Sequence, residues 1–247
     1  MTRFETQAFV ITGGTRGIGL ATAKRIAAEG GRVLVTGLNA EHLAAADAID
    51  GISVLKSDAS DPEATIAMAA EARRLFGELD GVFLNAGIAV YEPLAEITPE
   101  SFRRLFALNV GGAVFGAQAL APLVKRGGSL LLMASGAKTK GAPGAALYAG
   151  SKGAVRSIAL VLARELGARG IRVNTISPGP IDTDFHADLG SLKIEPAEFA
   201  EIIKKMIPMG RMGEVAEAAA VATFLLSRDA SFVTGADYPV DGGEAQL

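Results

Sequence analysis

Short apolar runs alternate with longer amphipathic segments along almost the whole chain, and this alternation constrains the fold more than any other feature. Seven of the runs predict β-strands: Ala8–Ile11, Arg32–Thr36, Ile52–Leu55, Gly81–Asn85, Gly128–Met133, Ile171–Ile176 and Asp237–Val240. The segments between them predict helices: Thr15–Glu29 after a glycine turn, Ala40–Ile49, Pro62–Phe76, Pro99–Leu123, Tyr148–Leu166 and Val215–Leu226. Strands that alternate with helices form right-handed βαβ units. We therefore predict an α/β fold with a parallel sheet and helices on both faces.

Composition narrows the function classes. The chain has 247 residues, 49% of them hydrophobic, and no linker, so we predict one domain over residues 1–247. A net charge of -3 argues against nucleic acid as a partner. Cysteine is absent, and neither histidine has a metal-ligand spacing, so we expect no disulfide and no metal. Without an apolar signal core or a run of 18 apolar residues, we expect no membrane partner and a cytoplasmic protein.

One segment, Pro178 to Lys205, breaks the alternation. It is rich in Gly, Pro and Asp at first and then carries scattered apolar residues such as Phe185 and Phe199. This composition is too apolar for a solvated loop and too irregular for a core element. We interpret residues 183–206 as a mobile lid over a substrate site, with a plain surface excursion as the alternative.

A glycine-rich turn, Thr12-Gly-Gly-Thr-Arg-Gly-Ile-Gly19, directly follows the first predicted strand. Glycines let backbone amides approach a ligand closely, and the following helix N-terminus favours a pyrophosphate. The spacing of Gly13, Gly17 and Gly19 differs from the G-x-G-x-x-G fingerprint, and such a turn can also be only a tight turn. The strand before it and the helix after it favour dinucleotide binding.

The end of the second strand bears on the choice of nucleotide. A carboxylate there would bind the free 2′-hydroxyl of NAD, but the chain has Leu38 and Asn39 and no acid. Arg16 in the turn could instead meet a 2′-phosphate. NADP(H) is therefore preferred. NAD(H) remains possible, since no Lys or Arg follows the second strand directly and Arg16 could simply be solvated.

Tyr148 and Lys152 lie four residues apart, which places them on one helix face, and Ser135 lies thirteen residues before the tyrosine. An ammonium beside a phenol favours the phenolate, so we predict that Lys152 lowers the pKa of Tyr148. Such a tyrosine can exchange a proton with a carbonyl or alcohol oxygen that a serine hydroxyl orients. The alternative for this spacing alone is an exposed pair on a helix.

Two smaller features surround these residues. Lys138 and Lys140 follow Ser135 and could attract an acidic substrate at a pocket mouth, although a solvated loop is the preferred interpretation. Tyr91 and Phe185 are candidate apolar walls, with simple packing under a loop as the alternative.

The motifs together resemble the short-chain dehydrogenase/reductase family in its single-domain branch. The turn Thr12–Gly19 matches the family's Thr-Gly-x-x-x-Gly-x-Gly pattern, and Leu84-Asn85-Ala86-Gly87 is similar to its Asn-Asn-Ala-Gly segment, with Leu84 in place of the first asparagine. The likeness continues through Pro178-Gly179 with Thr183, and through Asp241-Gly-Gly243 near the end. The positions that match the family's catalytic tetrad are Asn109, Ser135, Tyr148 and Lys152.

The resemblance implies a Rossmann-type, doubly wound, seven-stranded sheet of order 3-2-1-4-5-6-7 that binds the cofactor across the carboxyl ends of its strands. Asp58 and Ala59 would lie near the adenine, and Asn85, Ala86 and Gly87 near its ribose. Pro178, Gly179, Ile181 and Thr183 would flank the nicotinamide. The remaining implied or predicted cofactor contacts are Gly13, Thr15, Arg16, Gly17, Ile18, Gly19, Leu38, Asn39, Tyr148 and Lys152.

The resemblance also implies the chemistry. The expected enzyme is an NADP(H)-dependent oxidoreductase of a ketone or aldehyde carbonyl, or of the corresponding alcohol. Tyr148 would be the acid/base, Ser135 would hold the substrate oxygen, Lys152 would bind the nicotinamide ribose, and Asn109 would steady a water. The alternatives are an NAD-dependent alcohol or sugar dehydrogenase and a non-catalytic dinucleotide-binding sensor. Family members are commonly homotetramers, sometimes dimers, and the two longest predicted helices are candidate interfaces.

Overall fold

The computed structural model describes residues 2–183 and 196–245. Its strands, in chain order, are β1 (Ala8–Thr12), β2 (Arg32–Gly37), β3 (Ile52–Lys56), β4 (Leu79–Leu84), β5 (Val124–Met133), β6 (Arg172–Pro178), β7 (Ile181–Asp182), β8 (Gly213–Glu214) and β9 (Asp237–Val240). Seven of them form one parallel sheet of order β3-β2-β1-β4-β5-β6-β9. The predicted fold and strand order are confirmed. The seventh sheet strand is β9 because the short strands β7 and β8 pair separately.

Each of the six segments predicted as helices corresponds to at least one helix, and a further helix, Pro196–Met206, lies in the segment interpreted as a lid. The helices are α1 (Gly17–Ala28), α2 (Ala40–Asp47), α3 (Pro62–Phe76), α4 (Pro99–Phe106), α5 (Gly112–Leu120), α6 (Ala146–Gly167), α7 (Pro196–Met206) and α8 (Val215–Leu226). Local capping explains several of the starts. Asp61 accepts a hydrogen bond from the amide of Glu63 before α3, and Thr98 accepts one from the amide of Ser101 before α4. Pro62 and Pro99 stand at the first helical position, where a missing N–H costs nothing.

The central strands are buried on both faces. Every residue of β1, β4 and β6 is buried. Along β1, Ala8 and Val10 face the helices α3, α5 and α6, whereas Phe9 and Ile11 face α1 and α8. This alternation explains why the strands are continuous apolar runs in the sequence, since both sheet faces are covered by helices.

The predicted helix Pro99–Leu123 is not one regular helix. A π-helical turn, Ala107–Gly111, separates α4 from α5, and a 3₁₀ turn, Ala121–Leu123, follows α5. Within the described chain, this run is long and apolar enough to cross a membrane by length and composition alone. Its buried residues, including Leu105 and Leu120, pack in the fold. Packing on the sheet is the ordinary reason for an apolar helix in such a fold.

The predicted lid, residues 183–206, falls largely on residues 184–195, which lie outside the described part of the chain together with Phe185. The described remainder is Thr183 and α7. Pairing of β7 with β8 joins Ile181 to Gly213, so the chain before and after this segment is held together. The lid itself stays a prediction.

Several large apolar side chains on the helices α4, α5 and α6 are exposed. They are Phe102, Val114, Phe115, Leu160 and Val161. These residues belong to the two segments that the sequence marks as candidate interfaces, and assembly through them stays a prediction.

Candidate active site

The four predicted catalytic residues lie close together near the carboxyl ends of β4 and β5. Ser135 follows β5 and begins a 3₁₀ turn, Gly136–Thr139, while Tyr148 and Lys152 project from α6 and Asn109 lies in the π-helical turn. All four are buried, with exposed fractions of 8% for Ser135, 7% for Tyr148, 2% for Lys152 and 2% for Asn109. The structure thus places a serine, a tyrosine, a lysine and an asparagine from three separate segments in one buried cluster.

The pKa of Tyr148 is raised, not lowered as predicted. Burial raises the pKa of Tyr148 to about 12, a hydrogen bond from Ser135 lowers it in part, and the neighbouring Tyr91 raises it further. Lys152 does not offset burial, because its Nζ lies 6.0 Å from the centre of the Tyr148 ring and donates to the carbonyl of Met133 at 2.9 Å. The prediction that Lys152 lowers the pKa of Tyr148 is therefore wrong for this arrangement.

The raised pKa of Tyr148 and the lowered pKa of Lys152 determine the protonation state of this cluster at neutral pH. A phenol with a pKa of about 12 stays protonated, so Tyr148 can donate a proton to an oxygen within hydrogen-bond reach. Burial lowers the pKa of Lys152 to about 8, which leaves most of this lysine charged at pH 7. The cluster therefore combines a protonated acid with a buried cation.

Asn109 uses its side chain to join two segments of the site. Its Oδ1 accepts from the amide of Ile88 at 2.9 Å, and its Nδ2 donates to the carbonyl of Ile88 and to Ser151. Ser151, which sequence reasoning missed, in turn donates to the carbonyl of Tyr148 at 2.7 Å. Ser151 stands three residues after Tyr148 on a helix, and this spacing was the signal that could have identified it.

Gly87 permits the close approach of Asn109 and Lys152. A Cβ atom built on Gly87 would lie 3.0 Å from Asn109 Oδ1 and 3.1 Å from Lys152 Nζ. A side chain at this position would therefore crowd both residues. This packing explains the glycine of the Asn85-Ala86-Gly87 segment without any ligand contact.

The glycine turn is tied to β4 through Thr12, a second residue that sequence reasoning missed. The buried Thr12 hydroxyl accepts from the amides of Asn85 and Ala86, at 3.0 and 3.1 Å. Asn85 returns two bonds, from Nδ2 to the carbonyls of Thr12 and Gly13. Asn85 and Ala86 were predicted to line the adenine ribose. Their described hydrogen bonds hold the turn in shape, and Thr12, as the first residue of the turn motif, carried the sequence signal.

The glycines of the turn are required for different physical reasons. A Cβ on Gly13 would meet Ala86 at 2.9 Å, and one on Gly19 would meet Asn85 at 2.6 Å, so these two serve packing. Gly17, at φ +53°, is different, because its nearest neighbour for a Cβ would be Thr183 Cγ2 at 3.8 Å. Gly17 therefore opens toward space that Thr183 borders.

The N-terminus of α1 fits an anionic ligand. Its N-cap is Arg16, which is exposed and makes no side-chain capping bond, and no acid lies in the first turn. Free amides and the positive end of the helix dipole there can hold a phosphate. The open Gly17, the uncapped amides and the exposed guanidinium together fit the pyrophosphate side of a dinucleotide.

The other predicted cofactor residues also lie near the carboxyl ends of the strands, several of them with structural contacts. Asn39 caps α2 by accepting from the amide of His42, and Asp58 accepts from Ser60. Gly179 donates to the carbonyl of Val240 at 3.1 Å. The remaining positions are Thr15 (buried), Ile18 (half-buried), Leu38 (exposed), Ala59 (half-buried), Pro178 (buried at the end of β6) and Ile181 (buried in β7).

The turn Asp241–Ala245 packs beside the segment that follows Ser135. Asp241 accepts from the amides of Gly243 and Ala245, which fixes the turn. Glu244 forms an ion pair with Lys140, and Ala245 would lie 3.6 Å from a Cβ built on Gly136. The end of the described chain is thus part of the wall around the cluster.

Lys138 and Lys140 are neither solvated nor free to attract a substrate. Lys138 pairs with Asp237 at 2.8 Å and Lys140 with Glu244, and their side chains are only 10% and 23% exposed. Both interpretations of these lysines are corrected, because acids of this chain already neutralise them. Tyr91 stays a candidate wall, since its ring centre lies 6.0 Å from that of Tyr148.

The geometry agrees with comparisons to known proteins. A family model described as enoyl-(acyl carrier protein) reductase matches residues 13–244. The chain is 35% identical over 250 residues to the NADP-dependent (R)-specific alcohol dehydrogenase of Lentilactobacillus kefiri, covering 98% of this chain and 97% of that protein. It is 32% identical over 245 residues to the 2-dehydro-3-deoxy-L-rhamnonate dehydrogenase (NAD(+)) of Sphingomonas sp. (strain SKA58), covering 98% and 96%.

A solved structure from Brucella melitensis, described as a short-chain dehydrogenase/reductase and glucose/ribitol dehydrogenase, matches with a TM-score of 0.92. The two chains are 33% identical, and the match covers 100% of this chain and 99% of the other. Fold, motifs and relatives agree over nearly the whole length. The chain therefore belongs to the short-chain dehydrogenase/reductase family and is an oxidoreductase of alcohol and carbonyl groups.

Proposed function

We propose that this enzyme is an NADP(H)-dependent reductase of ketone or aldehyde carbonyls in which Tyr148 is the proton donor. The observation that supports it most is the burial of Ser135, Tyr148 and Lys152 in one cluster, where a second hydroxyl neighbours a protonated phenol. A bound reduced nicotinamide would supply the hydride to the carbonyl carbon. Tyr148 then gives its proton to the oxygen, and the product is an alcohol.

The proposed roles of the neighbours are consistent with their positions in the cluster. Negative charge grows on the carbonyl oxygen as hydride arrives, and hydrogen-bond donors already placed at that oxygen lower the barrier. The hydroxyls of Ser135 and Tyr148 are the two such donors in this proposal. Lys152, most of which is charged at pH 7, holds the ribose beside them. Because Tyr148 is protonated at neutral pH, reduction is the direction that we propose as favoured there.

A substrate panel tests this proposal. Ketones, aldehydes and an enoyl thioester are each offered with NADPH and with NADH, and loss of nicotinamide absorbance is recorded. We expect turnover with at least one ketone or aldehyde and faster turnover with NADPH. The enoyl thioester is included because of the family model's description. Turnover with that compound alone would contradict the proposed carbonyl chemistry.

The second candidate is an NAD-dependent alcohol or sugar dehydrogenase. A relative named for NAD(+) and a sugar-acid substrate supports it. Oxidation of a secondary alcohol or a sugar by NAD⁺, faster than by NADP⁺, would favour this candidate over the first.

Arg16 provides a specific test of the nucleotide preference. It is exposed, and the structure gives it no ion pair with the residues described. Charge-assisted hydrogen bonds are worth about 1.5–3 kcal/mol, so Arg16→Ala should raise the KM for NADPH by about 10-fold or more. The KM for NADH should change little. Steady-state kinetics with both nucleotides provide the measurement.

Arg25→Ala is the matched control, because Arg25 lies on the same helix and pairs only with Glu29 among the described residues. Equal losses for NADPH and NADH in the Arg16 variant would argue against a 2′-phosphate contact and for the NAD-dependent candidate.

We also propose that the enzyme is a cytoplasmic homotetramer, with a dimer as the alternative. The exposed apolar side chains of α4, α5 and α6 support self-association, because exposed apolar surface often marks a site of contact between proteins.

A further inference from the structure

The side chain of Lys138 points away from solvent and under the turn that begins at Ser135. Its Nζ donates to the carbonyl of Ser135 at 3.2 Å and to Ser177 Oγ at 2.8 Å, and it pairs with Asp237 at 2.8 Å. The Ser135 hydroxyl, on the other side of the same residue, accepts from the amide of Ala137 and neighbours the Tyr148 hydroxyl. Ser135 is thus held through its carbonyl by Lys138 and through its hydroxyl by the site.

Asp237 connects this lysine to the sheet. Its Oδ1 accepts from Thr175 at 2.7 Å and from Ser177 at 2.6 Å, both on the neighbouring strand β6. Its Oδ2 faces Lys138 at 2.8 Å and Arg156 of α6 at 4.0 Å. The network therefore joins the turn after Ser135 to two strands and to the helix that bears Tyr148 and Lys152.

Stability alone is a weak reason for such a network. A largely buried ion pair gains little over well-packed apolar residues, because removing both charges from water costs about as much as their attraction returns. What it supplies is a defined position, since Lys138 must lie within reach of three oxygens at once. The residue that this network fixes is Ser135, whose hydroxyl lies beside Tyr148.

We propose that Lys138, held by Asp237, is a positioning residue that fixes Ser135 for carbonyl reduction. This inference rests on the proposed function, in which Ser135 holds the substrate oxygen. Lys138 touches neither substrate nor nucleotide in this scheme. It acts through the backbone of Ser135, so its loss should affect turnover far more than nucleotide binding.

The main test is Lys138→Met, which keeps the length of the side chain and removes its charge. A misplacement near 1 Å can cost on the order of 10²-fold in rate, so we expect kcat to fall by about 10-fold to 100-fold with an unchanged Kd for NADPH. Lys138→Arg, which keeps the charge, should recover most of the lost turnover. In a Ser135→Ala background, the Lys138→Met change should cost less than about 2-fold more, because residues acting as a unit are not additive.

Lys125→Met is the matched control. Lys125 pairs with Asp80 at 2.6 Å, where β4 and β5 begin, and this is the sheet end opposite the site. This variant also loses a lysine–aspartate pair but should keep its kcat. Wild-type kcat in Lys138→Met, an equal loss in Lys125→Met, or a fully additive loss in the Ser135→Ala background would each overturn the proposal.

Hydrogen exchange keeps the inference separate from the proposed function. Amides 136–140 should exchange faster in Lys138→Met than in the wild type or in Lys125→Met, whatever the substrate. An inactive wild type across the whole panel would count against the proposed function alone, since the exchange result still decides whether Lys138 fixes the turn. Unchanged exchange in Lys138→Met would overturn the inference.

Discussion

Tyr148→Phe is expected to lose about 10²- to 10⁴-fold in kcat for carbonyl reduction while its affinity for NADPH stays that of the wild type. The variant removes one hydroxyl and leaves a ring of the same shape in a buried position. The proton donor and one of the two hydrogen bonds to the developing charge would be lost together. Single-turnover rates and NADPH binding by fluorescence titration measure the two effects separately.

Tyr238→Phe provides the control, since it makes the same chemical change in β9, where Tyr238 packs against Phe224. Its turnover should equal that of the wild type. Normal turnover in Tyr148→Phe would remove Tyr148 from the reaction and leave the nucleotide site as the better-supported part of the proposal.

Lys152→Met should lose both turnover and nucleotide affinity. The proposed ribose contact disappears, and with it the position of the nicotinamide beside Tyr148. Loss of a charge-assisted hydrogen bond predicts a Kd for NADPH raised by about 10-fold or more. Isothermal titration measures this value, and unchanged NADPH binding would contradict the ribose contact.

Lys152→Met should also change how the free energy of unfolding depends on pH. Burial lowers the pKa of Lys152 from 10.5 to about 8, so between these values the unfolded chain binds more protons than the folded one. The free energy of unfolding contributed by Lys152 therefore rises with pH across this window. From pH 8 to pH 10 the wild type should gain about 2–3 kcal/mol relative to Lys152→Met. Tyr148 changes stability only above pH 10, because its pKa is about 12 in the folded state and 10.0 otherwise. Urea unfolding at several pH values provides the measurement.

The fold was predictable because its determinants are local and repeated. Strands such as β1 and β4 are buried on both faces, which leaves an apolar run in the sequence, and helices such as α3 begin at a recognisable cap and proline. The grouping of four side chains in one cluster was predictable from their spacing and from the resemblance of the motifs to a family. These residues are Asn109, Ser135, Tyr148 and Lys152. The π-helical turn that holds Asn109 was not predictable, since nothing in the local sequence distinguishes it from a regular helix.

The partners of these residues could not be predicted, because they depend on distances across the fold. The sequence places Lys152 beside Tyr148 on a helix, but the lysine reaches the carbonyl of Met133 instead, and burial then controls the pKa of the phenol. Lys138 meets Asp237, which lies 99 positions later in the chain. Periodicity and composition carry no information about such long-range contacts between side chains.

The turn Asp241–Ala245 has a practical consequence for handling the protein. Glu244 forms an ion pair with Lys140, and Ala245 packs next to Gly136, which follows Ser135. The last few described residues therefore form part of the wall around the cluster of Ser135 and Tyr148. Purification tags and fusion partners are better placed before Arg3, because Arg3 pairs with Glu29 just after α1, at the sheet end opposite Ser135. Removal of Glu244 and Ala245 would remove this part of the wall beside Ser135.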